Sequence, residues 1–328
     1  MKNSTAPNRK TGRMIAKNLI VLFTVALAGF FGIQAWFTQN QTATADGIEV
    51  ECQAPDGIEI AVVKHKDKAP TEYTTGKITL KKANYPFLEK LQLTEITGDG
   101  TYFNKPALYQ TGGQAQVDTK ADWSEADANL HYLSFDLYIR SKSQYNISIG
   151  EKSTIKPDAP QLTTSDGTGI KNKSKYGNFS RDSVVGAVRF SVVDYKHDPP
   201  SKKLLWLPAP NILLEQTNDE YTLSDNNESG ESYSHVYYDT KKEKQTVSNT
   251  TDDAAFVVNN NGFVGGKFTY ELGTNQKIAQ LTKSSDTDQF YSAMVTCNMW
   301  IEGEDAEARL ALVNGNFKVN LVLTKEEN

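Results

Sequence analysis

Cysteine is nearly absent from the 328-residue chain: Cys52 and Cys297 are the only two, and no CxxC arrangement exists. That is too few for a disulfide framework or a cysteine-rich metal site. Histidine is scarce as well. His65, His131, His197 and His235 are dispersed, with no HExxH pattern that would set two zinc ligands on one helical face. The chain also has no GxSxG elbow, no GxGxxG turn and no GxxxxGK(S/T) loop, so the signatures of an α/β-hydrolase, a dinucleotide-binding unit and a P-loop are missing. The glycines of NGFVGG, residues 261–266, read as a turn feeding a strand. No residue set therefore recommends itself as catalytic, and the chain reads as something other than an enzyme.

Acidic residues are missing from residues 1–45, which carry Lys2, Arg9, Lys10, Arg13 and Lys17. The other 283 residues hold 30 basic and 40 acidic side chains, a net charge of −10 against −5 for the whole chain. An acidic body argues against nucleic acid as a partner, because phosphate backbones recruit basic surfaces. Next to the basic leader lies LIVLFTVALAGFFGI, residues 19–33, in which Thr24 is the only polar side chain. Its length suits the apolar region of a signal peptide, and counting on to Phe37 approaches a membrane span. The sequence predicts an N-terminal signal or anchor helix, with cleavage after Ala35 or Ala45 as the alternatives to retention. The expected location is extracellular, at the cell surface or secreted, with a membrane contact through this segment if it is kept. Residues 1–45 are thus a leader and linker, and residues 46–328 one elaborated domain.

Within that domain the hydrophobic pattern has period two. Ile48, Val50 and Cys52 alternate with polar residues, as do Ile58, Ile60 and Val62 after the turn at Pro55-Asp56-Gly57. Further strands are expected at residues 77–80, 91–96, 132–141, 145–149, 183–193, 255–258, 267–272, 289–301 and 316–324. Polar loops are expected at residues 152–182 and 223–253. Amphipathic helices are not regularly interposed, which predicts a mainly β fold. The expected form is an antiparallel β-sandwich, jelly-roll-like, with long loops. One short helix, residues 306–315, is expected before the last strand, capped by Asp305 and stopped by Gly315.

Cys52 and Cys297 each continue an apolar face. A disulfide between them and two separate buried thiols are both compatible with the sequence. Glu302, Glu304, Asp305 and Glu307 form a local acidic run and are the candidate ligands for calcium, although the run lacks the order of an EF-hand loop. The competing reading gives Asp305 to the helix cap and the others to solvent. No other cofactor is indicated.

Two stretches resemble a known family. Residues 34–50, QAWFTQNQTATADGIEV, are similar to the export region of TasA- and camelysin-type surface proteins of Gram-positive bacteria. Residues 299–325, MWIEGEDAEARLALVNGNFKVNLVLTK, resemble the terminal strand, helix and strand of Firmicutes relatives with a WxEG(E/T)D pattern, matched by Trp300, Glu302, Gly303, Glu304 and Asp305. The resemblance implies an exported β-sandwich that functions as a surface or matrix structural protein, partnered by itself or by matrix proteins. It also implies filament assembly in which Asp46, Ile48, Val50 and Cys52 form a strand donated to a neighbour. A binding module for polysaccharide, peptide or calcium is the competing class, and a camelysin-type protease comes third.

Overall fold

The structure, a computed structural model, describes residues 43–44, 48–93, 95–105, 108–111, 114–117, 124–158, 185–208, 212–217, 220–225, 234–238, 244–248, 256–259, 263–264, 267–302 and 317–327. Its two large sheets are built, in chain order, from β1 (Ile48–Gln53), β2 (Ile58–Lys64), β3 (Thr74–Thr75), β4 (Lys77–Leu80), β5 (Glu95–Gly98) and β6 (Phe103–Lys105). They continue with β7 (Ser124–Glu125), β8 (Leu133–Ser141), β9 (Tyr145–Ile149), β10 (Thr154–Pro157), β11 (Val188–Asp194) and β12 (Ser201–Pro208). The last five are β13 (Phe256–Asn259), β14 (Tyr270–Glu271), β15 (Gln276–Gln280), β16 (Tyr291–Glu302) and β17 (Phe317–Glu327).

The ten-stranded sheet runs β7-β6-β5-β16-β8-β2-β3, and β16 also pairs with β11, which leads on through β12 to β13. Its spine is the antiparallel pair β8 and β16, in register from Leu133 opposite Met299 to Ser141 opposite Tyr291. The seven-stranded sheet runs β14-β10-β17-β9-β15, with β1 on the other edge of β17 and β4 beyond β1. Alternation decides what each sheet buries. Leu133, Phe135, Leu137 and Ile139 of β8 and Val295, Cys297, Met299 and Ile301 of β16 point to one apolar cluster. From the other sheet Ile48, Val50 and Cys52 of β1 and Phe317, Val319, Leu321 and Leu323 of β17 enter the same cluster. Each fully buried aliphatic side chain there contributes about 1.5–3 kcal/mol relative to exposure. A smaller cluster of Ile96, Phe103, Leu205, Leu207 and Trp300 lies on the second face of the ten-stranded sheet.

The expected antiparallel, jelly-roll-like sandwich is corrected on two counts. Both sheets are mixed, because β1 runs parallel to β17, β5 parallel to β16 and β12 parallel to β13. Neither sheet closes on itself. Period two fixes which side chains share a face; it carries no information about the direction of the partner strand. The pairing of β1 with β17 in particular joins strands from opposite ends of the chain, which only the packed core can specify.

The helices are corrected too. Among the described residues no α-helix occurs, and Pro86–Leu88 form a 3₁₀ turn. No helix of the described residues is long and apolar enough to cross a membrane. The anchor helix, the membrane partner and the anchored or exported location expected from residues 19–33 therefore find no support in the structure. That run, Ala35, Ala45 and the helix expected at residues 306–315 lie outside the described residues.

Strand β12 had no alternation to announce it. Its LLWL core is buried on both faces, with Leu204 and Trp206 in the main cluster and Leu205 and Leu207 in the smaller one. Within the polar stretch read as a loop, Ser234–Tyr238 and Lys244–Ser248 pair as an antiparallel hairpin. Leu108–Thr111 and Gln114–Val117 form another hairpin, which belongs to a compact unit separate from the one containing the sheets.

Candidate functional site

The candidate donor strand is β1, and it is seated on both edges. Val50 stands opposite Val319 of β17 on one side and Leu80 of β4 on the other; Cys52 stands between Leu321 and Ile78. Asp46 lies outside the described residues. The opposite face of β1 is held by charge. Glu49 pairs with Lys81 and, at 2.6 Å, with Lys318, while Glu51 lies 3.2 Å from Lys77 and 3.7 Å from Lys318. Desolvation works against ionisation of Glu49, but hydrogen bonds from Lys318 and Lys81 outweigh it and bring its carboxyl down to about 2. The Lys318 ammonium is pushed up by the same Glu49 contact. Alternating carboxylates on β1 thus meet lysines on the neighbouring strands β4 and β17 and on the segment after β4, which gives this strand a chemical address as well as an apolar one.

Cys52 and Cys297 are free and fully buried in the main cluster, one from each sheet. Burial pushes the Cys52 thiol up to about 12 and raises that of Cys297 well above its ordinary value. A thiol so desolvated is a packing group and a poor nucleophile.

Of the expected calcium run, Glu302 alone is among the described residues. Glu302 is buried and accepts a hydrogen bond from the Trp300 indole N–H at 3.0 Å, so its carboxylate belongs to a packed polar contact beneath the smaller cluster. Glu304, Asp305 and Glu307 lie outside the described residues. No group of three or more His, Cys, Asp or Glu side chains among the described residues could hold a metal.

The sequence reading missed a polar seam on the second face of the ten-stranded sheet. Asp136 of β8 stands opposite Thr296 of β16 and accepts its hydroxyl at 2.7 Å; His65 Nδ1 lies 2.7 Å from the same oxygen, and the Lys66 amide donates to the other at 3.1 Å. Two register positions along, on the same face, Ser134 donates to Asn298 Oδ1 at 2.7 Å. Asn298 and Ser191 both reach the Gly100 carbonyl, at 3.4 and 2.6 Å. Tyr195 packs its ring 5.1 Å from that of His65 and donates to the Thr101 carbonyl at 3.0 Å. Burial opposes ionisation of Asp136, yet its bonds to His65 and Thr296 hold the carboxyl below the usual range.

An acid, an imidazole and a hydroxyl in contact invite a catalytic reading, but the geometry refuses it. The Thr296 hydroxyl is fully buried and is itself committed to Asp136, so no free nucleophile faces a substrate. The seam is a buried tie between strands and the loop over them. Its signal was present in the sequence as polar residues on the second face of two apolar strands, Ser134 with Asp136 and Thr296 with Asn298.

The chain matches no protein-family model, no curated protein and no solved structure.

Proposed function

We propose that the protein is a non-catalytic structural or adhesive protein that assembles through strand pairing, with β1 completing either its own seven-stranded sheet or that of a neighbouring copy. One observation carries this reading. Strand β1, preceded among the described residues only by the two-residue strand Ala43–Thr44, occupies an interior place in its sheet, between β17 and β4, and continues into the other sheet through only the short turn at residues 54–57. The place β1 fills would otherwise leave an apolar slot flanked by two strand edges, which an identical strand supplied by another copy fits equally well. Lys81 and Lys318 set the register of whichever strand enters, because only one alignment brings Glu49 to both.

The test is electron microscopy and size-exclusion chromatography of the full chain over a concentration series. Ordered oligomers that grow with concentration are expected. A synthetic peptide covering residues 46–53, added in excess, should compete for the slot and shorten them. A protein that stays strictly monomeric at every concentration overturns the proposal. A binding module is the second reading, and an open cleft of about 820 Å³ beside β15 favours it.

A further inference from the structure

We infer that this cleft binds an extended peptide segment in which acidic residues alternate with small apolar ones, as an added strand. The inference deepens the binding reading and rests on it; exchange of β1 is not required.

Three features of the cleft converge on that ligand. The first is a pair of strand edges. Strand β15 pairs with β9 alone, so among the described residues no strand is laddered to its other edge; at its start the Gln276 side chain donates to the Lys203 carbonyl at 3.3 Å and closes that end of the cleft. Across the cleft, β16 pairs with β8 from Tyr291 to Met299, whereas β11 joins its other edge only from Thr296 onward. The two edges converge at an isolated bridge, where the Thr282 and Ser292 amides each donate to the other's carbonyl at 3.1 and 2.8 Å. Backbone groups in a strand alternate sides. Since Ser292 turns its N–H and C=O toward Thr282, Met294 turns its own pair the same way, into the cleft. A peptide entering there meets main-chain donors and acceptors already fixed in extended geometry, which is the basis of recognition by strand addition.

The second feature is charge. Lys196, Lys202, Lys203, Lys277 and His197 line the cleft, with Asp194 as the one carboxylate. Asp194 lies 3.4 Å from His197, and Lys202 is 3.9 Å from Asp99 outside the cleft. Among the described residues no ion pair neutralises Lys196 or Lys277, both exposed. On a chain whose body is net acidic, a cation-lined cleft is a local reversal of field that draws anionic segments.

The third feature is the floor. Ile278 and Val295 are buried members of the main cluster, and Ala279 and Ala293 pack at its edge with part of their surface open. Small side chains leave room for a backbone and modest apolar residues, while the lysines stand at the rim. The five residues of β15 offer roughly 17 Å of edge at about 3.3 Å per residue, enough for a segment of five or six residues. An anionic oligosaccharide would satisfy the charge and leave the strand edges unused, so the peptide is favoured.

The experiment measures binding of a fluorescent, end-capped peptide of sequence EVEVEV to the full chain by anisotropy. Its comparators are the same peptide N-methylated at alternate amides and a galacturonate oligomer of similar charge. Binding of EVEVEV that tightens as salt is lowered is expected, with a roughly tenfold loss on N-methylation and a roughly tenfold loss in the double variant Lys196→Glu, Lys277→Glu. Both lysines are exposed, and a thermal melt checks that the variant stays folded. Hydrogen exchange should show the Met294 amide slowing when EVEVEV binds. No binding, equal binding of the N-methylated peptide or the galacturonate, or an unchanged affinity in the folded double variant would each overturn the inference. The Lys196→Glu, Lys277→Glu variant and the Met294 amide report on the cleft and not on the β1 slot, so failure here leaves the assembly proposal standing, and absence of oligomers leaves this one standing.

Discussion

At the scale of single residues, Asp136 gathers three partners in the seam: His65, the Thr296 hydroxyl and the Lys66 amide all meet it. Replacing it with Asn keeps the shape but turns one accepting oxygen into a donor, facing groups that also donate. The expected cost is about 1–3 kcal/mol, read from urea unfolding near neutral pH. The acid dependence has a definite sign. Although burial pushes the other way, the Asp136 carboxyl is held below its unfolded value of about 3.9. Its contribution is therefore complete above roughly pH 4 and disappears as pH falls through the lower folded value. Wild-type stability should converge on that of Asp136→Asn in that acid window; a constant gap at all pH values would refute the assignment. Gly100 makes the same seam possible from the loop side. Its φ of +90° lies in the region that L side chains avoid, and an added Cβ would meet Ser191 Cβ at 3.0 Å and Leu205 Cδ1 at 3.1 Å. Gly100→Ala should destabilise by about 1–3 kcal/mol through strain and crowding together, and a near-neutral thermal melt would contradict that account.

Among the elements, β1 shows how ion pairs and apolar packing divide the labour. Ile48, Val50 and Cys52 supply burial, whereas Glu49 and Glu51 meet Lys77, Lys81 and Lys318 and so fix register. Despite the desolvation that opposes it, Glu49 stays ionised down to about 2, against an ordinary value of 4.5, because Lys318 and Lys81 bind it. Its depressed folded value means the tie is present above pH 4.5 and is lost between there and pH 2. The stability difference between wild type and Glu49→Gln should shrink across that window, and a difference that grew with acidity would count against the ion pairs. The inward faces of β1, β2, β8 and β16 were legible in the sequence because each alternates apolar and polar residues. Strand β12 was not, since LLWL is buried on both faces and has no period to read. Strand β15 was also missed: only Ile278 of Gln276–Gln280 is fully buried, so an edge strand left one apolar mark. The seam was half legible. Ser134 and Asp136, Thr296 and Asn298 could be placed on outer faces, but their pairing across β8 and β16 depends on a register that turns and partner strands set together.

On the scale of the whole molecule, the two sheets are bound by one apolar cluster, and the early strand β1 closes against the late strand β17. Contacts between chain ends demand large loop-closure entropy before they repay it, so the sheets should form together and slowly. The two cysteines report on this directly, as Cys52 hangs from the seven-stranded sheet and Cys297 from the ten-stranded one, both fully buried in the shared cluster. With burial holding the Cys52 thiol near 12 and that of Cys297 well above normal, thiolate is negligible near neutral pH even apart from steric exclusion. Alkylation by iodoacetamide in native buffer should consequently label neither residue over hours. Along a urea gradient both should become reactive at one midpoint, coincident with the loss of far-ultraviolet circular dichroism, because exposing either thiol requires the cluster to open from both sides. Labelling of Cys52 at a lower midpoint than Cys297 would show that β1 leaves its slot as a separate unit. That outcome would refute a single cooperative core, and it would measure the free energy at which the slot becomes available to a strand from another copy.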